Sequence, residues 1–203
     1  MSAEMHLLVL KHTGHILAAV APSAAPSGPS VDELIGPDLP VRSSRQTVTG
    51  LTAAIVLQPK TMLVPATMIE VKTVARDFRI LSAPHEYAVD GGRPVLLPPP
   101  TRTVQTGAGP VSTPRVGPTT ITEARFERDG GAPGVNIAVI LSERDKPASQ
   151  RRAQTGTFDP QGKAVLAHAI LPGAPAAQLL FGRTYWVLVA NGGMQIEWLT
   201  LVL

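Results

Sequence analysis

The residues best suited to chemistry in this chain are its five histidines: His6, His12, His15, His85 and His168. His12 and His15 flank a Thr-Gly pair, with His6 on the apolar run that leads into it. A His-x-x-His turn offers two imidazoles of the kind that ligate zinc or nickel. Two or three ligands on one hairpin do not close a tetrahedral site unaided, so the spacing predicts exposed turn histidines and no metal. His85-Glu86 follows Pro84 and has the composition of an acid/base pair, but no partner for it is visible in the sequence. His168 is expected on the polar side of a strand. Carboxylates cluster at Asp32-Glu33 and at Glu143/Asp145 beside Arg144. The first pair fits a helix cap. The second reads as a solvated turn, because the neighbouring loops lack the run of oxygen ligands that calcium needs.

Other reactive signatures are missing. The chain has no cysteine, which removes thiolate catalysis, disulfides and Cys-ligated metals. It has no Gly-x-Ser-x-Gly elbow and no phosphate-binding P-loop. Gly107-Ala-Gly109 begins like a dinucleotide loop, but Ser112 stands where the third glycine belongs. These readings predict a protein that is not an enzyme and carries no cofactor.

Composition sharpens that expectation. Charged residues make up 16% of 203, against roughly 25% in an average domain. Mean hydropathy is +0.14. A surface so poor in charge is expected to be covered, since free apolar patches aggregate. The net charge is +3, and 13 of the 18 basic residues are scattered arginines, which argues against nucleic acid. Glu4 sits where a signal peptide carries positive charge, and Leu7-Leu-Val-Leu10 is too short for its apolar core. No stretch has the apolar length of a membrane span. A cytoplasmic location, or a place in an assembled particle, is the expectation.

The elements that would position these residues are mostly strands. Twenty prolines and 18 glycines interrupt helices, and the apolar runs are short and rich in Val, Ile, Leu and Thr. Met5–Val20 reads as a hairpin apolar on both faces, so both faces should be covered. Ser30-Val-Asp-Glu33 is a capping box for a short helix near 31–36 that Pro37 ends. Strands are expected near Pro40–Ser44, Thr47–Gln58, Thr67–Val74 and Glu86–Val89. Gly91–Pro118, with Pro98-Pro99-Pro100, three arginines and no acid, reads as a proline-rich linker or docking arm. Beyond it, Thr119–Glu127, the alternating run from Val135 to Ser142, Gln150–Phe158 and Lys163–Leu171 read as strands. A terminal hairpin over Arg183–Leu203 completes the series, with a tight turn at Asn191-Gly192-Gly193.

The fold class expected is therefore all-β with one short helix: an N-terminal β-rich module (1–90), the arm (91–118) and an antiparallel β-sandwich (119–203). The segment Leu179-Leu-Phe-Gly182-Arg-Thr-Tyr185-Trp-Val187-Leu-Val189 resembles the Leu-x-x-Gly-x-x-Tyr-x-Val-x-Val pattern of fibronectin type III-like sandwiches. That resemblance implies an immunoglobulin/fibronectin type III-like architecture with a tyrosine corner.

Function is expected to lie in protein contacts. Alternation sets Met194, Ile196 and Trp198 on a core face, opposite a polar face that turns apolar at Leu199, Leu201 and Leu203. Those three leucines, Trp186, the triplet Pro98, Pro99 and Pro100, and Arg102 are the candidate interface residues. The expectation is a structural or adaptor subunit, as a homo-oligomer or within a hetero-assembly such as a phage-tail-like particle. The alternative is a monomeric module that binds carbohydrate or peptide, using Trp186.

Overall fold

The first apolar runs pair with each other. β1 (Glu4–Leu10) and β2 (Ile16–Val20) form an antiparallel hairpin. Gly14 makes its turn possible: its φ is +75°, and a side chain there would stand 2.7 Å from the Val89 carbonyl oxygen. The computed structural model describes residues 4–21, 28–43, 46–49, 54–57, 60–99, 103–108, 120–121, 123–128, 133–144, 151–167, 179–180 and 184–202. Ser30 caps α1 (Val31–Ile35) with both halves of the capping box in place. β3 (Asp38–Arg42) follows. The expected single strand over Thr47–Gln58 is instead a pair, β4 (Gln46–Thr49) with β5 (Ala54–Leu57). Gly50 falls between them and interrupts the run of strand formers.

β6 (Thr61–Pro65) pairs with β3, and a 3-10 turn at Ala66–Met68 leads into β7 (Ile69–Ala75), which pairs with β1. A second helix, α2 (Phe78–Ser82), was not legible in the sequence. It is one turn long, capped by the Asp77 carboxylate, which accepts the Arg79 N–H at 2.8 Å, and Pro84 follows it closely. β8 (Tyr87–Asp90), close to the strand expected at Glu86–Val89, pairs with β9 (Arg93–Leu96), which falls inside the region read as the start of the proline-rich arm.

The later strands are β10 (Thr103–Ala108), β11 (Thr120–Ile121), β12 (Glu123–Arg128), β13 (Asn136–Glu143), β14 (Arg151–Thr157), β15 (Lys163–Ala167), β16 (Leu179–Leu180), β17 (Thr184–Asn191) and β18 (Glu197–Val202). They build a four-stranded sheet in the order β14-β13-β17-β18, a three-stranded sheet β10-β12-β15 and the pair β11-β16. The protein is mostly β, its described strand pairings are antiparallel, and it has two short helices.

The period of two along each strand sorts the core into layers. Ala138 and Ile140 of β13, with Leu188 and Ala190 of β17, enter one cluster. Ile137, Val139 and Leu141, with Tyr185, Val187 and Val189, enter a second on the opposite face. The first cluster also holds Leu8, Leu10, Leu17, Leu39, Val41, Met62, Val64 and Ile69, so strands on both sides of segment 91–118 share one core. The second holds Phe158 and Ala164, which ties β15 to that face. Met5, Leu7, Val9 and Ile16 form a third cluster with Ile80 of α2 on the outer face of the first hairpin. Both central sheets are thus covered on both sides by the same chain.

Candidate functional site

The turn histidines are not exposed. His15 is fully buried. Its Nε2 donates to the Met194 carbonyl at 2.6 Å. Its Nδ1 then accepts from the Thr13 hydroxyl at 2.9 Å. Burial lowers its pKa, and the Met194 bond opposes that only in part. The His12 ring donates through Nε2 to the Gly156 carbonyl at 2.9 Å, and Asn136 Nδ2 donates to the His12 carbonyl at 2.8 Å. The His-x-x-His turn therefore clamps the first hairpin onto the C-terminal strands. His6 is also buried, with Nδ1 3.1 Å from the Thr73 hydroxyl across the β1–β7 ladder. No group of three or more His, Cys, Asp or Glu side chains able to hold a metal is formed among the described residues. His168 lies outside them.

The terminal connection is longer than expected. Strand β17 ends at Asn191 and β18 resumes at Glu197, so residues 192–196 form a loop in place of a two-residue turn. The Gly192 N–H donates to the Asn136 carbonyl at 2.8 Å. The Gln195 N–H donates to the Pro98 carbonyl at 2.9 Å. The Met194 N–H donates to the Asn191 carbonyl at 3.1 Å, and Gly193 has a φ of +80°, so the tight turn at Asn191-Gly192-Gly193 is present at the start of this longer loop. Glu143, read as part of a solvated turn, ends β13 and is buried. Asp145 lies outside the described residues.

The candidate interface residues separate. Trp186 and Trp198 lie on the same face of their hairpin, and both pack partly buried against the first cluster. Leu199 packs against the second cluster, within its own chain. Leu201 pairs with Tyr185 in the β17–β18 ladder. Pro98 and Pro99 are exposed. Leu203, Pro100 and Arg102 lie outside the described residues.

Two surface features remain. The first is apolar. Four large hydrophobic side chains are exposed among the described residues: Phe78 at 71%, Leu96 at 60%, Val95 at 45% and Val20 at 38%. They sit on α2, β9 and β2. These elements adjoin: α2 packs on β2, and β2 on β8, the partner of β9. The Arg76 guanidinium stands 4.8 Å from the Phe78 ring centre, a cation–π contact. Sequence reading missed this group, since isolated Phe, Val and Leu in short runs look like core.

The second is a polar cleft of about 380 Å³. Arg42 and Ser43 come from the end of β3, Ser82 to Glu86 from the exit of α2, and Gln195, Ile196 and Trp198 from the terminal hairpin. His85 is here. Its Nδ1 is buried with no hydrogen-bond partner, and burial lowers its pKa, so the ring is neutral at pH 7. The serines are already engaged: Ser43 Oγ accepts the Lys60 N–H at 2.8 Å, and Ser82 Oγ donates to the Arg79 carbonyl at 2.8 Å. Gln195 Nε2 donates to the Leu97 carbonyl at 3.0 Å. Arg42, Gln195, Ile196 and Trp198, which line the cleft with His85, come from elements far away along the chain.

No family model, no curated protein and no solved structure matches the chain. Among the described residues no helix is long and apolar enough to cross a membrane.

Proposed function

We propose that this protein is a non-enzymatic structural or adaptor subunit that works through protein–protein contacts, as a homo-oligomer or in a larger assembly. The observation that carries this reading is the group of exposed apolar side chains on α2, β2 and β9. The chain covers both of its central sheets itself, yet leaves Phe78 and Leu96 more than half exposed. Large apolar side chains left exposed on adjoining elements mark candidate contact surfaces. Strand β9 has no described neighbour beyond β8. Pro94 removes one backbone donor from it, so the partner would be held by side chains more than by an added strand.

In this reading, residues 119–203 are an immunoglobulin/fibronectin type III-like sandwich. The support is a buried Tyr185 and two antiparallel sheets joined through the second cluster, the smaller of which also takes β10 from the 91–118 segment. The scattered arginines give nucleic acid no organised surface. A cytoplasmic setting, or a multi-copy particle of the phage-tail kind, suits such a subunit.

Light scattering on the purified chain tests the reading. The wild type is expected to associate as concentration rises into the tens of micromolar. The double variant Phe78→Ser, Leu96→Asp is expected to remain monomeric, with stability within about 0.5 kcal/mol of the parent because both sites are on the surface. A dispersed monomer in the wild type overturns the proposal.

A further inference from the structure

The cleft between β3, α2 and the terminal hairpin has the parts of a small-molecule site, and this holds whether or not the chain assembles. Its volume of about 380 Å³ lies near the lower end of the roughly 300–1,000 Å³ usual for ligand pockets. It carries opposite charges that do not cancel. Arg42 and Glu86 both line it and both are exposed. Among the described residues the recorded ion pairs are Lys72–Glu70 and Arg79–Asp77, and neither involves Arg42 or Glu86. The two groups therefore stand too far apart to neutralise each other, yet border one cavity.

The same cavity is lined by an apolar wall and a neutral donor or acceptor. Trp198 and Ile196 come from the terminal hairpin and are anchored in the first cluster, so the wall is rigid. The His85 Nδ1 is shielded from solvent and bonded to nothing. The ring nitrogen left for a ligand is Nε2. Gln195 is held by its bonds to Leu97 and Pro98, which fixes the floor of the cleft. Surface charges normally cost little and mean little. Two unpaired charges of opposite sign that border one cavity with an indole in its wall are a different arrangement, complementary to a zwitterion with an aromatic or apolar body.

We propose that this cleft binds a small zwitterionic ligand of amino-acid to dipeptide size. Arg42 takes the carboxylate, Glu86 takes the ammonium group, Trp198 packs on the side chain, and His85 Nε2 supplies a hydrogen bond between them.

The test uses the full chain with Trp186→Phe, so that indole emission reports Trp198 alone. Three probes are titrated: Ala-Phe, which has both charges; N-acetylphenylalanine, which has only the carboxylate; and phenylalaninamide, which has only the ammonium group. Ala-Phe is expected to change the emission saturably, and each blocked probe to bind about tenfold more weakly, in line with the loss of one charge-assisted contact. Arg42→Gln is expected to abolish the preference for a free carboxylate, and Glu86→Gln the preference for a free ammonium group. If Trp186→Phe does not fold, calorimetric titration of chains retaining Trp186 gives the same comparison. The proposal is overturned by no binding of Ala-Phe up to about 10 mM, by a blocked probe that binds as well as the dipeptide, or by preferences that survive the two substitutions.

Discussion

His15 shows how a residue type with obvious chemistry can be put to structural use. Its two ring nitrogens are occupied by the Thr13 hydroxyl and the Met194 carbonyl, and the ring is wholly buried. Its folded pKa lies below the unfolded value because burial disfavours the cation. Well above about pH 6.5, both states are neutral and the group leaves stability unchanged. As the pH falls below that, the unfolded chain takes up a proton that the folded chain resists, so stability drops until the folded pKa is passed. His85 contributes with the same sign, since burial lowers its pKa too. Melting temperature is therefore expected to fall from about pH 7 to about pH 5. His15→Gln, which keeps a donor for Met194 but cannot titrate, is expected to show a smaller fall. An unchanged fall in that variant would remove His15 as its source. The spacing His12-x-x-His15 was legible in the sequence, but its burial was not, because the groups that hold it, Gly156 and Asn136 at His12 and Met194 at His15, are far away along the chain.

At the scale of elements, local signals were read well where the partners are close in sequence. The Ser30–Glu33 capping box forms as its pattern implies, with the Ser30 N–H donating to Glu33 Oε2 at 2.6 Å. Ser30→Ala is expected to cost about 1 kcal/mol or less in chemical denaturation, since α1 is short and its cap is exposed. The Met5–Val20 hairpin and the alternation along β13 were also visible, because a period of two is a local property. Elements without a periodic run were lost. Helix α2 has only five residues. Strand β6 is bounded by Lys60 and closed by Pro65, and its Met62 and Val64 show their role only against Leu39 and Val41 across the ladder. The Asn191-Gly192-Gly193 turn forms, with the Met194 N–H on the Asn191 carbonyl, but the loop that continues to Ile196 was not legible. Gly192 is held close to Asn136, where an added side chain would come within 3.1 Å of backbone oxygen.

At the scale of the whole molecule, the first cluster links Leu8, Leu10 and Leu17 to Ile140, Leu188 and Ile196. A shared core of this kind couples the two ends of the chain. Scanning calorimetry is expected to show one cooperative transition. Leu8→Ala and Leu188→Ala, from opposite ends, are each expected to destabilise that same transition by about 2–5 kcal/mol. Two transitions, with each variant shifting only one, would show separate units. The same layering accounts for the low charge content. The two central sheets use apolar residues on both faces, and much of the covering expected from a partner is supplied by the chain itself. What is left for a partner is the smaller group on α2, β2 and β9.

The sequence by itself determined the β class, the positions of most long strands, which side chains share a face, and the absence of cysteine chemistry. Each follows from residue type or from a repeat of two, and neither depends on distant contacts. Only the tertiary structure decided what each face meets. It buried His15, turned Leu199 toward its own chain, left Phe78 and Leu96 outside, and brought Arg42, His85, Glu86 and Trp198 around one cleft. Those outcomes depend on which sheets stack and in what register. No local pattern encodes that choice, because it is made by packing among residues far apart along the chain.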